Sequence, residues 1–390
     1  MKKYLFTLVL QALLFCSPLS AQETTAPGYC FDHGPYLQGL TYSDVYVYFT
    51  TSQKGFSWID LRAVGEKEYT RCVTIDDGLI EANNTKNAIH LQKLSPNTSY
   101  EYRLVSVPVN QFRLSQNIYG DTIRTPWYTF KTLNPDGNTC SFITTSDIHD
   151  DAEKYERLLS YMPLEKTDMV FLLGDILSHF SRVGQPYSSF IDVSVDKFAK
   201  ERPFVLVRGN HDTRGALART YPDYIYRPDN HFYGTYQFGN IFVVLLDNGE
   251  DKPDTHHDYS GITAFDDYRV EQLEWLKKVI QSDEYKNAAK RIILTHIPPI
   301  PRGESTRASV HTADFLYREY LPVLNTANVD LMIAGHTHRF MLIEPGNNPN
   351  YQFPILVNDN KSASYVQVSP AGISVKTIND QGTVTLEKTF

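Results

Sequence analysis

Five short apolar runs in the second half of this chain each end on side chains able to hold a metal ion. FITTS (142–146) runs into Asp147 and His149, and MVFLL (169–173) into Gly174 and Asp175. FVLV (204–207) runs into Arg208, Gly209, Asn210, His211 and Asp212. IILT (292–295) meets His296, and LMIA (331–334) meets Gly335, His336, Thr337 and His338. Helix-like stretches at 151–162, 189–200, 267–281 and 313–324 alternate with these runs. Such alternation builds a layered α/β domain. In open α/β sheets, ligands gather outside the carboxyl ends of the strands. One pattern therefore predicts that all these groups share a rim.

Carboxylate oxygen, amide oxygen and imidazole nitrogen suit borderline-hard ions such as Zn, Mn or Fe. Asp147, His149, Asp175, Asn210, His296, His336 and His338 exceed what one tetrahedral ion needs. They suit a pair of ions roughly 3.5–4 Å apart that share a carboxylate. Singly, each histidine reads as a surface or capping residue, and it is the ordered set that carries the signal. The glycines before Asp175, Asn210 and His336 let backbone turn beside a crowded site.

The first half has another rhythm. Short alternating runs at 44–51, 57–64, 69–75, 88–91, 100–107 and 127–132 predict a β-sandwich. The stretch LNPDGNT (133–139) is turn chemistry and marks the division. The expected domains are 27–134 and 138–390. A hairpin at 233–247 through Gly239 and Asn240, and β-like runs after Pro354, complete the second domain.

Residues 1–21 have the grammar of a signal peptide. Lys2 and Lys3 precede an apolar run at 4–15, followed by small residues up to Ala21. The mature protein is therefore expected to be secreted or periplasmic, with an uncleaved anchor as the alternative. The formal net charge is −8; loss of the two leader lysines makes it about −10. That balance argues against a nucleic-acid polymer as partner but leaves room for a small phosphorylated substrate. Cys30, Cys72 and Cys140 would remain after cleavage. Cys30 and Cys72 could pair, and no zinc-type cysteine cluster is present.

The ordered motifs DxH, GD, GNHD, a lone His and GHTH resemble those of the calcineurin-like metallophosphoesterase superfamily, from Asp147 to His338. The resemblance implies a four-layer α/β (α+β) sandwich of two β-sheets flanked by helices, with a dinuclear centre. It implies that Asp147, His149 and His338 hold one metal, that Asn210, His296 and His336 hold the other, and that Asp175 bridges them. It makes His211 a catalytic group facing the substrate, oriented by Asp212. GPYLQ (34–38), LSPNTSYEYR (94–103) and FKT (130–132) resemble the fibronectin-type-III-like domain that precedes purple acid phosphatase catalytic domains. The catalytic motifs depart from those enzymes. His149 stands where they have glycine, and Ser178 where they have a metal-bound tyrosine, so the purple colour is not expected.

These readings point to a phosphoesterase using a hydroxide activated by two metals. A diesterase or nucleotide hydrolase is the alternative within enzymes, and a catalytically silent metal-bound binding protein lies outside them. His179, Arg182, His256, His257, Arg302, Arg307 and His311 are further polar loop candidates, with 297–311 the first place to seek specificity.

Overall fold

A computed structural model describes residues 28–301 and 307–390. The signal-peptide stretch and Arg302 lie outside the described residues.

The first half is all β. Val45, Val47 and Phe49 are buried, while Tyr46 and Tyr48 on the opposite face are partly exposed. The runs expected at 44–51 and 57–64 form one strand, Val45–Ala63, of 19 residues. Its first part pairs with Tyr36–Gln38 and Asn84–Leu91, its second with Thr70–Cys72 and Ser99–Gln111. The register shifts between Thr50 and Gly55, where the polar stretch TSQK reads as a turn. Such a shift lets a strand bend without ending, so a single strand pairs with both groups and joins them in one connected sheet. Leu37, Val47, Ile59, Leu104 and Phe130 fill the space between.

The second half holds two six-stranded sheets. The first runs Phe204–Leu206, Met169–Leu172, Cys140–Thr145, Ser362–Ser369, Gly372–Asn379, Val384–Thr389. Its first three strands are parallel, and the tail adds three antiparallel ones. The second sheet runs Gly234–Phe238, Ile241–Leu246, Lys290–Thr295, Leu331–Ala334, Ile355–Val357, Met341–Ile343, with antiparallel edges and a parallel middle. Gly239 and Asn240 make the expected hairpin turn.

The sheets face each other across Phe142, Phe171, Val205, Val243, Leu294, Ile333 and Val366. Helices cover both outer faces. Ala152–Ser160 and the helical run 187–199 pack on the first sheet; Phe265–Val279 and the helical run 311–325 pack on the second. The result is the expected four layers. Central strands buried on both faces read as unbroken apolar runs, and Met169–Leu172 and Leu331–Ala334 are wholly buried.

The two halves share a seam. Tyr36 is 1% exposed and belongs to the core under the first sheet. Its hydroxyl donates to the Tyr224 carbonyl at 3.0 Å, and its ring stacks on Phe204. The Tyr102 hydroxyl donates to the Lys200 carbonyl at 2.7 Å. Cys30, Cys72 and Cys140 are all free, so the possible Cys30–Cys72 pair is not formed. Among the described residues, no helix is long and apolar enough to cross a membrane.

Candidate metal centre

The loops after the five strands carry their side chains to one place. Asp147, His149, Asp150, Asp175, His336 and His338 all have φ between 53° and 69°. Non-glycine residues adopt this left-handed region at a cost of order 1–3 kcal/mol each, and such strain gathers at functional sites. Backbone bonds hold it in place. The amides of Asp147, His149 and Asp150 donate to the carbonyls of Gly174, Asp175 and Ile176 at 2.9, 3.0 and 2.9 Å. The His336 amide donates to Asp147 Oδ2 at 3.0 Å. Asp150, unnoticed in the sequence, accepts from the Ser178 amide, Gln185 and Ser189, each at 2.8 Å. It ties the first two loops to the helical run 187–199.

Lone pairs face one another at the centre. His296 donates through Nδ1 to the Leu173 carbonyl at 2.7 Å. Its Nε2 then lies 3.2 Å from Asp175 Oδ2 and 3.1 Å from Asn210 Oδ1. His336 Nδ1 is 3.0 Å from the same Asn210 oxygen. On the other side, His149 Nε2 and His338 Nε2 are 3.2 Å apart. His338 Nε2 lies 3.2 Å from Asp147 Oδ1, yet that oxygen is buried without a hydrogen-bond partner. Asp175 Oδ2 links the halves, 3.9 Å from His149 Nε2. Two donor atoms bound to one ion at about 2.0–2.2 Å are spaced like this. All seven predicted residues therefore come together, in two groups meeting at Asp175, and their donor set fits a pair of cations.

The electrostatics agree. Burial disfavours a charged Asp175, but the charge and hydrogen bond of His296 hold its carboxyl well below the usual range. Burial opposes a proton on His296, yet Asp175 outweighs it and raises the imidazole to about 10. A cation between these groups would satisfy what this proton satisfies.

His211 stands apart. Its amide donates to Asp175 Oδ1 at 2.8 Å. Ring Nδ1 donates to the Ser178 carbonyl at 2.8 Å, and Nε2 accepts from Arg214 Nη1 at 3.0 Å. Both ring nitrogens are therefore hydrogen-bonded to residues outside the predicted ligand set, although one also lies within 4.8 Å of donor atoms of His149 and Asp175. The expected contact from Asp212 is not among the described hydrogen bonds. Asp212 is fully buried and accepts from the amides of Asp175, Leu177 and Gly209 at 2.9, 3.0 and 2.8 Å. Neighbours in a tight turn point apart, so Asp212 clamps backbone while Ser178 and Arg214 orient the ring.

A sixth strand end was missed. Ile241–Leu246 runs into Asp247, Asn248, Glu250 and Asp251, all buried. Arg208 pairs with Asp247. Asn248 Oδ1 accepts from Thr295 Oγ1 at 2.6 Å and the Ile297 amide at 2.8 Å, bracing the turn that carries His296. Glu250 takes Arg214 bidentately at 2.9 and 2.8 Å. The signal was present, since LLDNGED repeats the pattern of an apolar run ending in acids.

The looser candidates lie elsewhere in the hydrogen-bond network. His179, Arg182 and Arg307 are exposed. His256 accepts from the Asp258 amide, His257 is 86% exposed, and His311 pairs with Asp266 at 2.7 Å.

Purple acid phosphatase 18 of Arabidopsis thaliana is 22% identical over 274 residues, covering 65% of this chain and 52% of that protein. The chain thus spans about half the length of that curated relative. The purple acid phosphatase PPD1 from yellow lupin (Lupinus luteus) seeds superposes with a TM-score of 0.64 at 15% identity, covering 91% of this chain and 73% of that one. PhoD superposes with a TM-score of 0.60 at 13% identity, covering 93% and 90%. At such identities the likeness is one of fold. The calcineurin-like phosphoesterase profile matches residues 141–340, just over half of the chain and the whole span of the strand-end motifs, and the protein belongs to that family.

Proposed function

We propose that the protein is a metal-dependent hydrolase of small phosphate esters. The carrying observation is the meeting of acceptor atoms at 3.0–3.2 Å around Asp175, Asn210, His296 and His336, and around Asp147, His149 and His338. In this reading each group holds one ion, Mn, Zn or Fe, with Asp175 shared. Two such ions, when bound, would acidify a water and neutralise charge on a phosphoryl group. The chain's own residues do the rest. Asp147 and Asp175 supply the negative charge that retains the ions, Asp212 fixes the backbone between Asp175 and Asn210, and His211 and its partners stand at the substrate side. In this reading residues 27–134 form an accessory domain that packs on the catalytic one at 138–390, and the leader at 1–21 sends the protein out of the cytoplasm.

A pocket of about 310 Å³ beside His336, lined by Ile297, Pro298, Ile300, Met341 and Arg339, favours an ester with a bulky apolar part. A diester or nucleotide is the second reading on that ground.

The test is metal content followed by hydrolysis of p-nitrophenyl phosphate and its bis-ester with Mn, Zn and Fe. Two ions per chain and turnover of either ester are expected. A fully loaded protein inert on monoesters, diesters and nucleotides would leave the silent-scaffold reading. Asp175→Ala should lose both ions, whereas His211→Ala should keep them and lose turnover by about 10²–10⁴.

A further inference from the structure

Arg214 is four residues beyond Asn210 and has a place in no motif described so far. Its backbone is pinned, with its amide donating to the His211 carbonyl at 3.0 Å and its carbonyl accepting from Phe180 at 2.7 Å. The guanidinium is held from three sides. Nε and Nη2 meet the two oxygens of Glu250 at 2.9 and 2.8 Å, and Nη2 also meets Asp251 Oδ1 at 3.0 Å. Nη1 donates to His211 Nε2 at 3.0 Å. Glu250 is 1% exposed and is itself fixed by the Tyr259 hydroxyl at 2.8 Å. Lys252 pairs with Asp251 at 3.2 Å, so the two acids face two cations and the guanidinium charge is not cancelled outright.

Arginine carries five N–H donors and no acceptor. Nε, both Nη2 hydrogens and one Nη1 hydrogen are spoken for. The second Nη1 hydrogen has no protein partner among the described hydrogen bonds, and the side chain is 26% exposed. His211 is the complement. With Nδ1–H given to Ser178 and Nε2 receiving Arg214, the ring in this arrangement has no N–H left for a substrate. Its ring centre is 4.8 Å from that of His149, so this corner borders the candidate ions.

We propose that Arg214 supplies the N–H that meets a phosphoryl oxygen of the substrate, while His211, Glu250 and Asp251 position its guanidinium. The proposal rests on the phosphoesterase reading and deepens it. A planar guanidinium anchored by a buried carboxylate is a preorganised donor for a tetrahedral phosphoryl anion. Preorganised donors of this kind are worth about 10²–10³ in rate.

The test uses the full chain loaded with metal. Arg214→Ala and Arg214→Lys are compared with wild type for metal content, melting temperature, kcat/KM on p-nitrophenyl phosphate and the dissociation constant of inorganic phosphate by calorimetry. Both variants are expected to keep their metals. Phosphate binding should weaken at least about tenfold, kcat/KM should fall about 10²-fold or more in Arg214→Ala, and millimolar guanidinium should restore part of that loss. Guanidinium should not restore His211→Ala. Phosphate affinity unchanged in the folded Arg214→Lys variant, or loss of rate in Arg214→Ala with no rescue and no change in phosphate affinity, overturns the assignment and leaves Arg214 as a tie between loops. If the wild type hydrolyses no ester yet binds phosphate through Arg214, the hydrolase reading fails and this one stands.

Discussion

Gly209→Ala is a small change aimed at the most crowded backbone in the site. A methyl there would lie 2.2 Å from the Asp175 amide nitrogen and 2.4 Å from Asp175 Oδ1, and the next nearest atom is backbone of Gly174. Two of these atoms are backbone, and the third ends a short, buried side chain held by the His211 amide. Contacts under 3.0 Å are essentially never met by a real Cβ, so Asp175 must retreat by about 1 Å. That motion also breaks the geometry of the Asp212 clamp, since Gly209 and Asp175 donate to the same Asp212 oxygen. Overpacking of this kind costs about 1–3 kcal/mol, and a displacement of about 1 Å at a reacting site costs about 10²-fold in rate. We expect Gly209→Ala to fold with a lowered melting temperature, to bind fewer than two ions per chain by elemental analysis, and to lose about 10² in kcat/KM. Gly346→Ala is the control, because no atom lies within 4 Å of its added methyl, and it should be neutral or gain up to about 1 kcal/mol. A Gly209→Ala protein with two ions and wild-type kcat/KM would refute the claim that Asp175 is fixed by this contact.

Three further outcomes are expected. Asp212→Ala strands three buried amides, each worth about 1–3 kcal/mol, and should lower the melting temperature measurably; unchanged stability with lost turnover would instead point to a direct pairing with His211. Removal of metal by a chelator should lower the melting temperature reversibly, since ions at 100 times their dissociation constant stabilise by about 2.7 kcal/mol; an identical melting curve with and without metal would count against the site. His33 is raised by its hydrogen bond to Asp192, against burial and with help from the charges of Asp192 and Asp32. Its protonated form therefore stabilises the seam fully below about pH 6.5, and this is lost as pH rises through the raised value. The melting-temperature gap between wild type and His33→Gln should be wider at pH 5.5 than at pH 9, and equal gaps would contradict this.

What the sequence made legible was whatever depends on short spacing. The runs ending at Asp147, Asp175, Asn210, His296 and His336 are local patterns, and the layered fold carries each end to one rim. Contacts between segments were not legible. The commitment of His211 to Ser178 and Arg214 joins separate loops, and Asp212, adjacent in the chain, looked like the nearer partner. Asp247 to Asp251 are not legible as site residues, because the hairpin through Gly239 accounts for that strand without a function for its end. The bend that makes Val45–Ala63 a single strand hides in polar residues that usually signal a turn.

Tyr36 gives the seam a practical meaning. Because this residue of the first half stacks on Phe204 and donates to the Tyr224 carbonyl within the core of the second, the first half is no bead on a string. A fragment beginning at residue 138 would open a hole in its own interior and expose an aromatic patch that invites self-association. Swapping in a foreign sandwich would require the aromatic plug as well as the linker. The first half would thereby act as a folding partner to the layers that carry the candidate metal site.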